Sequence, residues 1–422
     1  MLASVRHSSI DDLFAQIPPT VRLGTPLAVS DGVSEMELAA DLRDLASRNR
    51  SADDLVCFAG GGAYDHFVPS VVWALAGRSE LYTSYTPYQP ELSQGVLQIL
   101  FEYQSMVCEL TGLEVSNASL YDGATALVEA VHMTLGSGRS RVLVASGVDP
   151  RAVEALRTAG KGAGYEPETF EGEPRVSDDV AAVVVQHPNV YGVLEPARER
   201  FEAAHAGGAT AIQVFDPLSL GALASPGELG ADIAVGEGQG LGNHLSYGGP
   251  YLGIIAGRMA EVRKLPGRIV GETVDVDGRT GYVLTLQARE QHIRRNKANS
   301  NICTNQTLMA IAAAIYMSWL GPEGLAELGE QCLSKAAYAA EALTAIPGVS
   351  LVFPAEPFFK EFALRLSRPA IEVIDAMVER GFLAGVAMPQ AGDDVLVVAL
   401  TERRSREEID AFVAALGEVL AP

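Results

Sequence analysis

Two rhythms of apolar residues alternate along the middle of the chain. Between about residues 118 and 260, short β-branched runs recur at 141–145, 181–186, 211–215, 233–235 and 252–256. Several are almost continuously apolar, the pattern of strands covered on both faces. Ala-rich stretches with helical spacing lie between them, at 150–159 and 196–206. Strands separated by helices predict right-handed crossovers and an α/β, doubly wound, mainly parallel sheet.

The flanks read differently. Residues 1–60 predict a helical N-terminal region, with Ser9 three residues before Asp12 and a similar start at Ser34. After Gly321-Pro322 the pattern resets to a helix over 323–345, strands near 348–353 and 394–400, and a helix over 405–420. The expected organisation is a helical region (1–60), a large α/β domain (61–322) and a smaller α+β C-terminal domain (323–422).

Charge narrows the partners. The chain has 422 residues, 31 basic against 53 acidic, and a net charge of −22. Its five lysines are Lys161, Lys264, Lys297, Lys335 and Lys360, with no basic stripe. Nucleic acid, which recruits proteins mainly through Lys and Arg, is therefore an unfavourable partner. Cys57, Cys108, Cys303 and Cys332 are spaced neither for zinc nor for a disulfide scaffold. The acidic start lacks a secretory apolar core, and no apolar run reaches the ~18 residues of a membrane span. The expectation is a reduced, cytoplasmic protein with neither a metal site nor a membrane partner.

Phosphate loops, zinc helices and nucleophile elbows are absent, and the glycines at 236, 238, 240 and 242 do not fit a dinucleotide fingerprint. More informative is Asp122-Gly123-Ala124-Thr125, which opens a helix. Small residues there leave amides free for an anion, while the plainer reading makes Asp122 an ordinary cap. Asp216 follows the 211–215 strand, where a carboxylate would pair with the pyridinium nitrogen of pyridoxal phosphate or simply start a turn before Pro217. His187, at the end of 181–186, would stack on a ring or end a strand. This order of helix start, His and Asp is that of fold-type I pyridoxal enzymes. Those enzymes also need a lysine after the next strand. The run from Gly236 to Pro250 contains none, and its nearest lysine, Lys264, lies beyond the following strand.

Several longer segments carry a family resemblance. Tyr85-Thr86-Pro87-Tyr88-Gln89-Pro90-Glu91, Met106-Val107-Cys108-Glu109-Leu110-Thr111-Gly112-Leu113 and Asn117-Ala118-Ser119-Leu120-Tyr121-Asp122-Gly123 resemble hallmarks of the glycine cleavage system P-protein. Arg289-Glu290-Gln291-His292-Ile293-Arg294-Arg295, leading to Ser300-Asn301-Ile302-Cys303-Thr304-Asn305-Gln306, is similar to another, as is Gly248-Gly249-Pro250. The length resembles that of subunit 1 of the two-subunit form.

The resemblance implies a fold-type I pyridoxal-phosphate-transferase-like fold and an oxidoreductase of glycine catabolism. Glycine would be decarboxylated on pyridoxal phosphate and its aminomethyl group passed to the lipoyl arm of the H-protein. The cofactor and its Schiff-base lysine would belong to subunit 2, with none bound covalently here, in an α2β2 heterotetramer. This chain would lend Tyr85, Thr86, Tyr88, Glu91, Arg294, Asn301 and Thr304 across the interface. Those aromatics would otherwise only fill the interface, and Cys303 is expected to be buried. At least one of Arg294 and Arg295 is expected in a salt bridge on a solvated helix. Gly123, Ala124, Thr125, His187 and Asp216 would be a vestigial cofactor cradle. The alternatives are a non-catalytic scaffold for subunit 2 or the H-protein, and a self-sufficient pyridoxal enzyme using a displaced Lys264 or Lys297.

Overall fold

The computed structural model describes every residue except Pro26, 83–86, Ser137, Thr304 and Pro422. It divides into two units, Met1–Ser51 and Ala52–Pro422. In the first, Ser34 caps helix α1 (Glu35–Ala46). The Ser34 hydroxyl accepts from the Glu37 amide, and the Glu37 carboxylate accepts from the Ser34 amide at 2.9 Å. Ser9 and Asp12 bond reciprocally as well, but close only a 3-10 turn, Asp11–Phe14. None of the described residues of this unit is buried, and Met36, Leu38, Leu42 and Leu45 of α1 stand exposed.

The second unit is built on a seven-stranded sheet. Its strands, in chain order, are β1 (Val115–Ser116), β2 (Arg141–Ala145), β3 (Glu166–Phe170), β4 (Val180–Gln186), β5 (Thr210–Phe215), β6 (Ile233–Glu237) and β7 (Gly253–Gly257). The spatial order is β1-β7-β6-β5-β4-β2-β3. Pairs β2–β3, β2–β4, β4–β5 and β5–β6 are parallel. Strand β7 runs antiparallel to β6 because the 238–252 connection contains no crossover helix. Val180 through Val185 of β4 are all buried, since helices cover both faces, and each such valine contributes roughly 1.5–3 kcal/mol.

Four of the covering helices are α2 (Gln94–Thr111), α3 (Gly123–Thr134), α4 (Pro150–Ala163) and α5 (Ala197–Ala206). A fifth, α6 (Thr307–Thr344), is broken at Gly321, whose φ of +65° is open to glycine but strained for other residues. Pro322 follows, unable to donate an amide hydrogen bond. Among the described residues, α6 alone is long and apolar enough to cross a membrane. Met309 through Ala314 are instead buried with Leu97, Leu100 and Phe215 in the core.

A second, antiparallel sheet holds β8 (Ser350–Leu351), β9 (Glu361–Arg365), β10 (Val386–Ala387) and β11 (Val395–Ala399), in the order β8-β9-β11-β10. Helices α7 (Ala370–Val378) and α8 (Arg406–Leu420) and the second half of α6 complete its core through Leu343, Met377 and Phe412. Val56–Cys57 pairs in parallel with Phe382–Leu383, and Phe58 stacks on Phe412 with centroids 4.1 Å apart. Residues 56–58 thus join this layer rather than the helical N-terminal segment.

Candidate functional site

A cavity of about 280 Å³ opens where β4, β5 and β6 end and α3 begins. Open α/β sheets place ligands at this edge. Gly123 and Ala124 line it, as does Asp216. Thr125 is not among the lining residues: its amide donates to Asp122 Oδ1 at 2.8 Å and its hydroxyl accepts from the Asp122 amide, a closed capping box. His187 does not line the cavity either, and its Nδ1 accepts from the Glu195 amide at 3.0 Å. Gln186 and Pro188 border the space instead.

Both ends of the cradle are already charged from within. The Lys360 ammonium lies 2.6 Å from Asp216 Oδ2, and the lysine side chain is 2% exposed. The same ammonium sits 3.4 Å from the Tyr64 ring centroid and 3.1 Å from His66 Nε2. His66 Nδ1 lies 2.7 Å from Glu402 Oε2. Burial and the neighbouring Lys360 charge push His66 below its usual range. The geometry therefore assigns a neutral ring that donates from Nδ1 to Glu402 and accepts at Nε2 from Lys360. Burial would raise Glu402, but the hydrogen bond from His66 and the Phe67 amide bring it down to about 2.

At the other end, the Glu237 carboxylate sits against the start of α3. Its Oε2 accepts from the Gly123 amide at 2.9 Å, and its Oε1 from the Gln239 and Leu252 amides, both at 3.0 Å. Burial pushes Glu237 up to about 7 despite these donors. Glu361, also pushed up to about 7 by burial, accepts from the Gly61 amide at 2.7 Å and from the Tyr64 hydroxyl at 2.8 Å. Gly192 lets the chain pass this point, because a Cβ there would run into the Glu361 carbonyl. His66, Cys332 and Glu402 bring possible metal-ligand atoms within 4.8 Å of one another. Both His66 nitrogens are already engaged, one by an ammonium that would repel a cation.

A second cluster lies along the hallmark segments. Tyr85, Thr86 and Thr304 fall outside the described residues. The Tyr88 hydroxyl accepts from Arg268 at 2.5 Å, and the Arg268 guanidinium stands 5.0 Å from the Tyr88 ring centroid. Arg268 also donates to the Cys303 carbonyl. This contact draws the Tyr88 and 301–303 segments together. Cys303 itself is exposed rather than buried, because it is the carbonyl that the arginine holds. Glu91 and Asn301 are also exposed. Arg294 and Arg295 are exposed without an ion pair among the described residues, so the expected salt bridge does not form. Arg268 Nε and both Glu290 carboxylate oxygens are buried with no hydrogen-bond partner among the described residues.

The family model of the glycine cleavage system P-protein matches residues 1–416. The chain belongs to this family. A relative from Chlorobium limicola, named as probable glycine dehydrogenase (decarboxylating) subunit 1, is 51% identical over 99% of this chain and 96% of its own length. A solved glycine decarboxylase (P-protein) of the glycine cleavage system, in inhibitor-bound form, shares 47% identity and a TM-score of 0.94. That match covers 100% of this chain and 97% of the other. An aspartate aminotransferase from Thermus thermophilus shares the fold alone, with a TM-score of 0.59 at 17% identity over 86% of this chain and 98% of that one. The P-protein chain thus has the fold-type I architecture of pyridoxal enzymes.

The residues present do not fit pyridoxal phosphate. No lysine follows β6, the Gly123 amide is occupied by a carboxylate, and Asp216 already holds an ammonium. Lys264 pairs with Glu261 at 2.8 Å, Lys297 is exposed, and neither lines the cavity. Sequence reasoning missed Tyr64, His66, Glu237, Lys360, Glu361, Glu402 and Arg268. The available signal was the charged pair Lys360-Glu361 set within Phe358-Phe359 and Phe362. Two charges in a run of aromatics imply burial with a partner.

Proposed function

We propose that this chain is subunit 1 of a heteromeric glycine dehydrogenase (decarboxylating). Subunit 2 carries the pyridoxal phosphate and its Schiff-base lysine, and the pair delivers the aminomethyl group of glycine to the lipoyl arm of the H-protein. The observation that carries this reading is the Lys360–Asp216 pair in a cradle with no lysine behind β6. The cofactor supplies the electron sink for decarboxylation. This chain supplies surface and positioning.

The Tyr88–Arg268 cluster supports a cross-subunit role, since buried polar atoms without partners are rare in a completed fold. Tyr88, Glu91, Arg294 and Asn301 then face subunit 2, and Arg268 holds Tyr88 in place. The coreless N-terminal unit supports assembly in the same way, because its apolar side chains need a surface to cover them. Two such heterodimers pair as a cytoplasmic α2β2 tetramer.

Reconstitution tests the reading. The two subunits together should catalyse exchange of the glycine carboxyl group with bicarbonate when H-protein is present, and neither should do so alone. Activity of this chain by itself would overturn the proposal. The double variant Tyr85→Phe, Tyr88→Phe separates a catalytic contribution from scaffolding: unchanged turnover in an intact complex would leave only the scaffold.

A further inference from the structure

We infer that Glu237 and Lys360 are built-in occupants of the two anchor points a phosphorylated pyridine would use, and that they close this pocket to pyridoxal 5′-phosphate. The inference rests on the reading that the cofactor belongs to subunit 2. It adds the device by which this chain refuses the ligand.

The phosphate end comes first. Helix α3 has twelve residues, and its first amide, from Gly123, is the donor that a phosphate would need. That amide and those of Gln239 and Leu252 converge on the Glu237 carboxylate. An arriving phosphate would lose the Gly123 donor and stand against a group already accepting three hydrogen bonds. Among the described lining residues the cations are Lys360, engaged at the other end, and Arg151, held by Asp149 at 2.6 Å and by the Gly61 carbonyl.

The ring end is closed by the opposite charge. A pyridinium nitrogen needs a free carboxylate oxygen, and Asp216 offers Oδ1 to the Leu218 amide at 3.1 Å and Oδ2 to Lys360 at 2.6 Å. A protonated ring there would meet the Lys360 ammonium. The lysine is boxed in by the Tyr64 ring and by His66 Nε2. Space does not enforce the exclusion, because about 280 Å³ remains open. The filled anchor positions do, so changing the two side chains that fill them should reopen the pocket.

The test uses the complex of the two subunits, loaded with pyridoxal phosphate and reduced with borohydride so that the cofactor-bearing lysine is permanently occupied. Equilibrium dialysis then measures binding of pyridoxine 5′-phosphate, which has no aldehyde and reports the two anchors alone. The unchanged complex should bind none. The double variant Glu237→Gln, Lys360→Met should bind one equivalent per heterodimer, at least about tenfold more tightly than any residual wild-type binding. Should the double variant fail to fold, Glu237→Gln alone keeps an acceptor for the amides and should show a weaker gain. A full equivalent on the unchanged complex, or folded variants binding no better than it, would overturn the inference. A borohydride label on Lys360 would overturn it too. The peptide that carries the label decides the proposed function separately: a complex without a labelled lysine on subunit 2 refutes that assignment whatever the dialysis shows.

Discussion

The cradle at the ends of β4–β6 and the cluster around Tyr88 and Arg268 are opposite solutions to the placement of charge. In the cradle, Asp216 meets Lys360, Lys360 meets His66, His66 meets Glu402, and the Gly123 amide at the start of α3 meets Glu237. Around Tyr88, Arg268 Nε and the buried Glu290 carboxylate make no hydrogen bond among the described residues, His292 Nδ1 standing 3.7 Å from Glu290 Oε2, while Arg294 and Arg295 are exposed. A self-satisfied site has no need of a ligand, and an unsatisfied one anticipates a neighbour. On the proposed function, the contrast would put this chain's contribution at its hallmark segments rather than in the cavity.

The largest expected effect comes from breaking the cradle. Lys360→Met leaves Asp216 and His66 without their cation, and removing one partner of a buried pair costs about 3–5 kcal/mol. Denaturant unfolding of the complex should show this loss, and adding Asp216→Asn should recover part of it. A loss under about 1 kcal/mol would mean that the pair is not the internal clamp described.

Acid titration sharpens the same side of the comparison. The folded values of Glu237 and Glu361, about 7, lie above the ordinary value of 4.5. Their contribution to stability is full below that ordinary value and is lost as the pH rises through 7. Stability should fall between about pH 5 and about pH 7.5, and Glu237→Gln should flatten that fall by on the order of 1–3 kcal/mol. Glu402, held down near 2, acts with the opposite sign: its contribution is present above 4.5 and lost as the pH drops through 2. A stability curve that rises from pH 5 to 7.5 would contradict the assignment of the two raised carboxyls.

On the other side, Arg268→Ala frees the Tyr88 hydroxyl and the Cys303 carbonyl and should cost the chain about 2 kcal/mol. On the proposed cross-subunit role, turnover of the assembled complex should fall further than this destabilisation explains. Equal losses of folded protein and of activity would reduce Arg268 to a structural tie. The smallest folding effect belongs to α1. Leu38→Asp with Leu42→Asp should change the stability of the chain by no more than about 0.5 kcal/mol, since both side chains are exposed. Light scattering should nevertheless show weakened assembly with subunit 2. Full assembly would remove α1 from the interface.

The sheet was legible because its strands are apolar runs whose burial is local: residues 141–145 and 181–186 need no distant partner to be read. The helix cap at Ser34 was equally plain, its hydroxyl accepting from the Glu37 amide at 3.3 Å. The cradle was half legible. Asp216 and Gly123 could be placed at strand and helix ends, and the missing lysine was visible as an absence. What fills the cradle was hidden, since Lys360 reaches Asp216 from the second sheet and Glu402 reaches His66 from beyond β11. No periodicity encodes contacts between residues so far apart. Cys303 shows the complementary failure, because residue type suggested burial while an arginine holding its carbonyl left the thiol at the surface.

The carboxylate of Glu237 at the start of α3 has a consequence in terms of mass action. A protein that binds its cofactor only when folded gains RT ln(1 + [L]/Kd), about 2.7 kcal/mol at a hundredfold excess over Kd. With its own acid seated on the Gly123 amide, this chain would forgo that term. Its melting temperature should then stay constant as pyridoxal phosphate is titrated, and its supply in a cell would be independent of the vitamin. Any coupling of the assembled enzyme to vitamin status would run through subunit 2, leaving this half as a folded template that waits for a loaded partner.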